Sequence, residues 1–271
     1  MTTATLAAVP SGLARSARDA ATLTRRILLH WKQRPVSVVL GLLFPVLVVV
    51  MFGYLFGGAM AIPNGSYLDF LIPGMLAMTM LFGLEAMVVA VTTDNAKGVT
   101  ARLRTMPVSA VSILAGRSWA DLLNGIVGIV VMVITGLIVG WRPDRGPLLG
   151  LAAIGLLLWL RFAFAWIGIY LGVLLKAPES AIAVQVLVWP VGFLSSVYVS
   201  PATMPGWLDA IATWNPLSAT ATAVRNLYGN PTWSTSAWAA QHATLLALLW
   251  PALLTIVFLP LAARQYRRQD R

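Results

Sequence analysis

VSVVLGLLFPVLVVVMFGYLFGG, residues 36–58, runs for 23 residues without one charged side chain. A hydrocarbon core of roughly 30 Å takes about 20 apolar residues as a helix, so this stretch is long enough to cross a bilayer. Five further windows of the same kind follow at about 68–92, 118–140, 148–174, 181–199 and 239–262. The composition agrees with them. Of 271 residues, 59% are hydrophobic and only 10% charged, with a mean hydropathy of +0.81. A soluble domain carries about 25% charged residues. The sequence therefore predicts an all-α membrane protein whose residues 36–262 form one domain of six transmembrane helices.

The charge is distributed in a way that orients these helices. The net charge is +10 with a pI near 10.9, which in a soluble protein would suggest nucleic acid. Here the basic residues fall into the loops that join the spans. With the N-terminus inside, 15 of the 19 lysines and arginines lie on the inner side. The outer segments hold only Arg142, Arg145 and Arg225, and Arg161 lies within a span. The excess of Lys and Arg in cytoplasmic loops predicts both termini in the cytosol, with no nucleic-acid partner. Sixteen of the 19 are arginine, a bias that points to a GC-rich bacterial genome and hence to a bacterial plasma membrane. There is no cysteine, which removes disulfide and thiol chemistry.

Two segments outside the spans have a pattern of their own. Within residues 1–35, Leu13, Ala17, Ala20, Leu23, Ile27 and Trp31 recur at three- and four-residue steps, while Arg15, Arg18, Arg25 and Arg26 fall largely elsewhere. That predicts a basic amphipathic helix in the inner headgroup layer, ended by Pro35. Residues 200–238 carry Trp207, Trp214, Trp233 and Trp238 together with prolines at 201, 205, 216 and 231. The segment is too interrupted to span and too aromatic to float free, since tryptophan prefers the headgroup region. It predicts one or two short re-entrant helices in the outer leaflet, shielded by neighbouring protein. The chain closes on a basic cytosolic tail, residues 263–271.

Catalytic chemistry has little to draw on. No G-x-x-x-x-G-K-[ST] phosphate loop is present, so no ATPase is expected on this chain. His30 and His242 fall at opposite faces of the membrane in this topology and cannot share a metal; no metal or cofactor site is predicted. Glu85 and Arg161 fall at similar depths in the second and fourth spans. A charge near the bilayer centre costs about 2.5–3.5 kcal/mol on insertion scales, which predicts that the two pair or line a polar path. Asp121, near the start of the third span, is within one helical turn of Arg117. Gly53-x-x-x-Gly57 and Gly168-x-x-x-Gly172 allow close helix approach.

The largest internal cytosolic loop is DNAKGVTARLRTMPVSAVSILAGR, residues 94–117. Residues 98–106 can form about two turns of basic helix, which Pro107 stops because it lacks an amide hydrogen and disfavours helix at Met106. On charge alone this is an ordinary positive-inside loop. The sequence KGVTARLRTMPVSAVSILAGR, however, resembles the cytosolic coupling element of type-2 ATP-binding cassette exporter permeases, the class that includes the daunorubicin-resistance permeases. The positions that carry the likeness are Arg102, Leu103, Arg104, Met106, Pro107, Val108, Ser109, Gly116 and Arg117. NPLSATATAVRNLYG, residues 215–229, resembles the same family's outer signature through Asn215, Pro216 and Arg225. Ala101 and Thr222 stand where the family often has acids.

The resemblance implies a membrane subunit of an exporter that moves a hydrophobic or amphipathic substrate outward, a drug-like molecule or lipid, or alternatively a lipid-linked glycan or polymer. It implies a separate ATPase subunit that holds ATP and magnesium and seats the coupling helix. It also implies pairing with a second copy, with the first and fifth spans, and so Gly53, Gly57 and Pro190, near the seam. A secondary transporter driven by an ion gradient is the more distant alternative. It would need coupling carboxylates, and Glu85 is nearly the only deep one.

Overall fold

The computed structural model describes residues 35–58, 60, 62, 65–100, 110–175, 177–232 and 237–268, with side chains from 39 onward in the first helix and from 113 onward in the third. The predicted interfacial helix before Pro35 and the coupling residues 101–109 lie outside the described residues. Those described are helical, in the order α1 (Pro35–Phe56), α2 (Tyr67–Ala96), α3 (Ala110–Ile138), α4 (Pro147–Leu175), α5 (Ala181–Phe193), α6 (Gly206–Trp214), α7 (Pro216–Tyr228), α8 (Trp238–Gln241) and α9 (Ala243–Arg268).

Five of them, α1, α2, α3, α4 and α9, are long and apolar enough to cross a membrane. α5 is shorter. The sequence predicts a span over 181–199, but its α-helix is 13 residues, preceded by a 3-10 turn at Pro178–Ser180. At 1.5 Å per residue that is about 20 Å of α-helix. The helix stops because its last carbonyls find partners elsewhere. The Ser195 hydroxyl donates to the Gly192 carbonyl, and the Asn215 side-chain amide donates to the carbonyls of Val191 (3.0 Å) and Leu194 (2.7 Å). Residues 194–199 are therefore a chain of turns, although they are apolar enough to pass for the end of a span.

α2 is the centre of the bundle. It starts on a capping box, in which the Ser66 hydroxyl accepts from the Asp69 amide (3.2 Å) and the Asp69 carboxylate accepts from the Ser66 amide (3.3 Å). This satisfies two of the orphan donors of the first turn. α1, α3, α4, α5 and α7 all pack against it, and most of its side chains are buried. The α2–α4 contact is close, and glycines make it so. A Cβ at Gly168 would stand 2.8 Å from the Leu84 carbonyl oxygen and 2.8 Å from Met87 Cβ; one at Gly172 would stand 2.6 Å from Val91 Cβ. The predicted close approach at Gly168-x-x-x-Gly172 is thus a contact within one chain. Gly168→Leu is expected to force α4 off α2 at a cost of about 1–3 kcal/mol or more, read as a fall in thermal unfolding temperature in detergent.

α6, α7 and α8 gather at the end of the bundle where α2 begins. α7 is largely buried against α2, α4 and α9. It ends at Gly229, whose φ of 79° is the left-handed conformation that suits glycine at a helix terminus. The loop between α3 and α4 closes over this end. Trp141 donates its indole hydrogen to Asn230 (3.0 Å), and the Asp144 amide donates to the Tyr228 carbonyl (2.9 Å).

A cavity beside a buried arginine pair

α1 to α5 line an open cavity of about 600 Å³, within the range of roughly 300–1,000 Å³ typical of small-molecule sites. One side of its wall is aromatic. Phe44 of α1, Phe82 of α2 and Trp189 of α5 pack ring against ring, with centroids 5.5 to 5.9 Å apart. The wall also carries polar groups: Glu85, Asn124, Gln185, and the guanidinium of Arg161.

Arg161 is the midpoint of α4, and its charge is met there. Its Nε and Nη2 donate to the two carboxylate oxygens of Asp121, both at 2.6 Å, and Nη1 donates to the Thr79 carbonyl at 3.1 Å. Both side chains are buried, 4% and 7% exposed. Fork-on-fork pairing of this kind is the strong form of an arginine–carboxylate contact. One side chain thereby joins α2, α3 and α4. Gly83 makes room for it, since a Cβ there would stand 2.0 Å from Arg161 Cζ.

The expected Glu85–Arg161 pair is therefore corrected: Arg161 is paired with Asp121. The alternative that Asp121 meets Arg117 is corrected as well, because Arg117 bonds Asp94 at 2.5 Å instead. Two physical facts explain the difference. Glu85 lies two residues beyond Gly83, about 200° round the helix, so it cannot share the face on which Arg161 lies. And α3 starts at Ala110 rather than near Ser118, which moves Asp121 from the helix end to about 16 Å inside it. Among the described residues Glu85 makes no hydrogen bond or ion pair. It is half-buried at the cavity wall, where an intramembrane carboxylate is expensive and marks a functional position by default.

The second buried arginine lies at the other site singled out in the sequence. Arg225 of α7 donates from Nε to the Phe70 carbonyl (2.9 Å) and from Nη2 to the carbonyls of Ser196 (2.9 Å) and Val197 (3.1 Å). Its Cζ sits 3.6 Å above the Phe70 ring, a cation–π contact. Gly74 leaves the space, since a Cβ there would stand 2.7 Å from Arg225 Nη2. Burial pulls this guanidinium down to about 9, still charged at neutral pH. Asn215 caps α7, its side-chain oxygen accepting from the Leu217 amide (2.9 Å), while Pro216 occupies the first helical position, where no amide hydrogen is needed. Asn215, Pro216 and Arg225 together thus hold α7 onto the turns after α5.

Of the remaining sequence-derived positions, Gly53 faces α2 of its own chain, where a Cβ would stand 2.5 Å from Leu68 Cδ2. Gly57 lies in the turn after α1, and Pro190 is exposed on α5. Arg102, Leu103, Arg104, Met106 and Pro107 lie outside the described residues. The described flanks of that loop are the end of α2 and the start of α3, clamped together by the Asp94–Arg117 ion pair.

A bundle of long apolar helices around a ligand-sized, partly polar cavity defines a multi-pass membrane protein. The chain belongs to the ABC-2 type transporter family, whose pattern it matches over residues 19–228. It is 35% identical over 260 residues to the daunorubicin resistance ABC transporter permease protein DrrB1 of Streptomyces coeruleorubidus, covering 95% of this chain and 89% of that one. It is 29% identical over 218 residues to the putative transport permease ycf38 of Cyanophora paradoxa, covering 78% and 74%. It is 24% identical over 209 residues to the probable doxorubicin resistance ABC transporter permease protein DrrC of Mycobacterium tuberculosis, covering 74% of each. The recognition made from residues 97–117 and 215–229 is borne out.

Proposed function

We propose that this chain is the transmembrane permease of an ABC exporter, working as a pair of copies driven by a separate ATPase subunit that binds ATP and magnesium. Each copy crosses the bacterial plasma membrane six times, α5 with the turns after it making the fifth crossing, and both termini face the cytosol. The cargo is a hydrophobic or amphipathic molecule, drug-like in the manner of the compounds that DrrB1 and DrrC are named for, and it moves outward. What supports this reading most is the cavity beside the Asp121–Arg161 pair. α2 and α3, two of its walls, are the helices that flank the loop carrying Arg102, Leu103, Arg104, Met106 and Pro107. A push on that loop by the ATPase reaches the cavity through α2 and α3, and the Arg161 fork passes it to α4.

The coupling role of the loop has a direct test. The tagged chain, purified in mild detergent from its native membranes, is expected to bring down an ABC ATPase in one-to-one ratio. Arg102→Glu combined with Arg104→Glu is expected to abolish that recovery while leaving the chain monodisperse and its unfolding temperature unchanged. Retention of the ATPase by the double variant would remove the loop from the coupling role. Transport that needs an ion gradient and no ATPase would replace the permease reading with a secondary transporter.

A further inference from the structure

The cavity wall carries one acidic side chain without a counter-charge. Two of its described lining residues are ionisable, Glu85 and Arg161. The positive charge of Arg161 is cancelled by Asp121, through two contacts of 2.6 Å. Glu85 has no counter-charge among the described residues, so its carboxylate, when ionised, gives the wall one net negative charge.

Aromatic rings share the cavity wall with Glu85. Phe82 stands three residues before it on α2, which places the two side chains side by side on the helix surface. Phe82 packs against Phe44 at 5.9 Å and Trp189 at 5.6 Å, and Phe44 packs against Trp189 at 5.5 Å, centroid to centroid. The faces of aromatic rings are electronegative and attract cations, tryptophan most strongly. The amides of Asn124 and Gln185, also on the wall, add groups that can orient a polar substituent. A neutral guest would leave the carboxylate desolvated without a partner. An anion would meet both the carboxylate and the ring faces. Only a cation satisfies both at once.

We propose that the cavity takes organic cations with an aromatic or otherwise apolar body, and that Glu85 with the Phe44–Phe82–Trp189 cluster is the subsite that recognises their charge. This rests on the permease reading and deepens it, because it names the class of cargo that the cavity accepts. Arg161, with its own carboxylate, is a fixed part of the wall and leaves the guest to Glu85.

The test uses two probe ions of matched size and shape and opposite charge, tetraphenylphosphonium and tetraphenylborate. Equilibrium binding is measured to the full chain in phosphatidylcholine nanodiscs, with empty nanodiscs subtracted to remove lipid partitioning. Saturable binding of tetraphenylphosphonium is expected, weakened about tenfold or more by Glu85→Gln and largely kept in Glu85→Asp. Tetraphenylborate is expected to bind more weakly than the cation and to gain from Glu85→Gln. Trp189→Leu is expected to weaken the cation and leave the anion unchanged.

Equal binding of the two ions, no saturable binding of either, or no effect of Glu85→Gln on the cation would overturn the proposal. A large drop in unfolding temperature for Glu85→Gln would do so too, since it would show the carboxylate already serving a structural partner, such as a group on a second copy. Recovery of the ATPase in the same preparations separates this inference from the one beneath it. Cation selectivity absent with the ATPase bound defeats the cargo class alone. No ATPase defeats the permease reading, whatever the ions do.

Discussion

Asp121→Ala is expected to destabilise the chain by about 3–5 kcal/mol, because it leaves the Arg161 guanidinium buried with no counter-charge. The geometry offers no easy relief. Arg161 lies against Gly83 on one side and Gly125 on the other, and its remaining bond in the wild-type chain is the Thr79 carbonyl. The loss is read from thermal unfolding in detergent against the wild type. A second construction separates the energetics of the pair from those of the single charge. Replacing a buried ion pair by apolar residues of similar volume is often neutral or stabilising by about 1–4 kcal/mol, so Asp121→Leu combined with Arg161→Met is expected to unfold well above either single variant. A double variant no more stable than Asp121→Ala would mean that the arginine is not stranded by losing its partner.

Arg225→Leu should cost as much at the other end of the bundle. The substitution strips hydrogen bonds from the carbonyls of Phe70, Ser196 and Val197 at once; Ser196 and Val197 lie in turns, where each buried acceptor left unsatisfied costs about 1–3 kcal/mol. It also removes the cation from above the Phe70 ring. Arg225→Lys is expected to fall between the two, because an ammonium on a flexible stem cannot reproduce the planar fork that reaches carbonyls on two separate segments. Unfolding temperatures in the order wild type, Arg225→Lys, Arg225→Leu check this account. A neutral Arg225→Leu would show that water or backbone movement satisfies the Ser196 and Val197 carbonyls without the side chain.

Much of this architecture was legible because hydropathy and membrane thickness are strong constraints. The windows at 36–58, 68–92, 148–174 and 239–262 lie within a few residues of α1, α2, α4 and α9. What hydropathy cannot see is helix that continues past the apolar stretch. α3 runs back through Arg117 and Ser118 to Ala110, and that extension decides whether Asp121 sits at a helix end or at the depth of Arg161. The reverse error occurs after Phe193, where LSSVYVS is apolar enough to extend a span yet folds as turns, because Asn215 and Arg225 capture its carbonyls.

The site was half legible for related reasons. Arg161, Glu85 and Arg225 stand out as ionisable residues in apolar or outer segments, and their types alone single them out. Their partners depend on helix rotation. Gly74 and Gly83 carry a usable signal in retrospect: each opens the α2 surface to one buried guanidinium, so a glycine in an inner helix near an intramembrane arginine is a candidate passage for it. The aromatic cluster could not be foreseen, because Phe44, Phe82 and Trp189 come from three helices and nothing in their spacing joins them.

In the exporter proposed above, ATP on a partner subunit rearranges the cavity lined by α1 to α5. The absence of cysteine from the chain gives a clean reporter for it. Ala86 is exposed at the cavity wall, and Ala86→Cys supplies a single thiol there. Its labelling by a membrane-impermeant thiol reagent is to be measured from each side of the membrane, in the ATPase complex, with and without ATP trapped by vanadate. Trapping is expected to move the accessible side from the cytosolic to the outer face, with the rate on each side changing several-fold. Labelling indifferent to trapped ATP, in a complex that hydrolyses ATP, would contradict it.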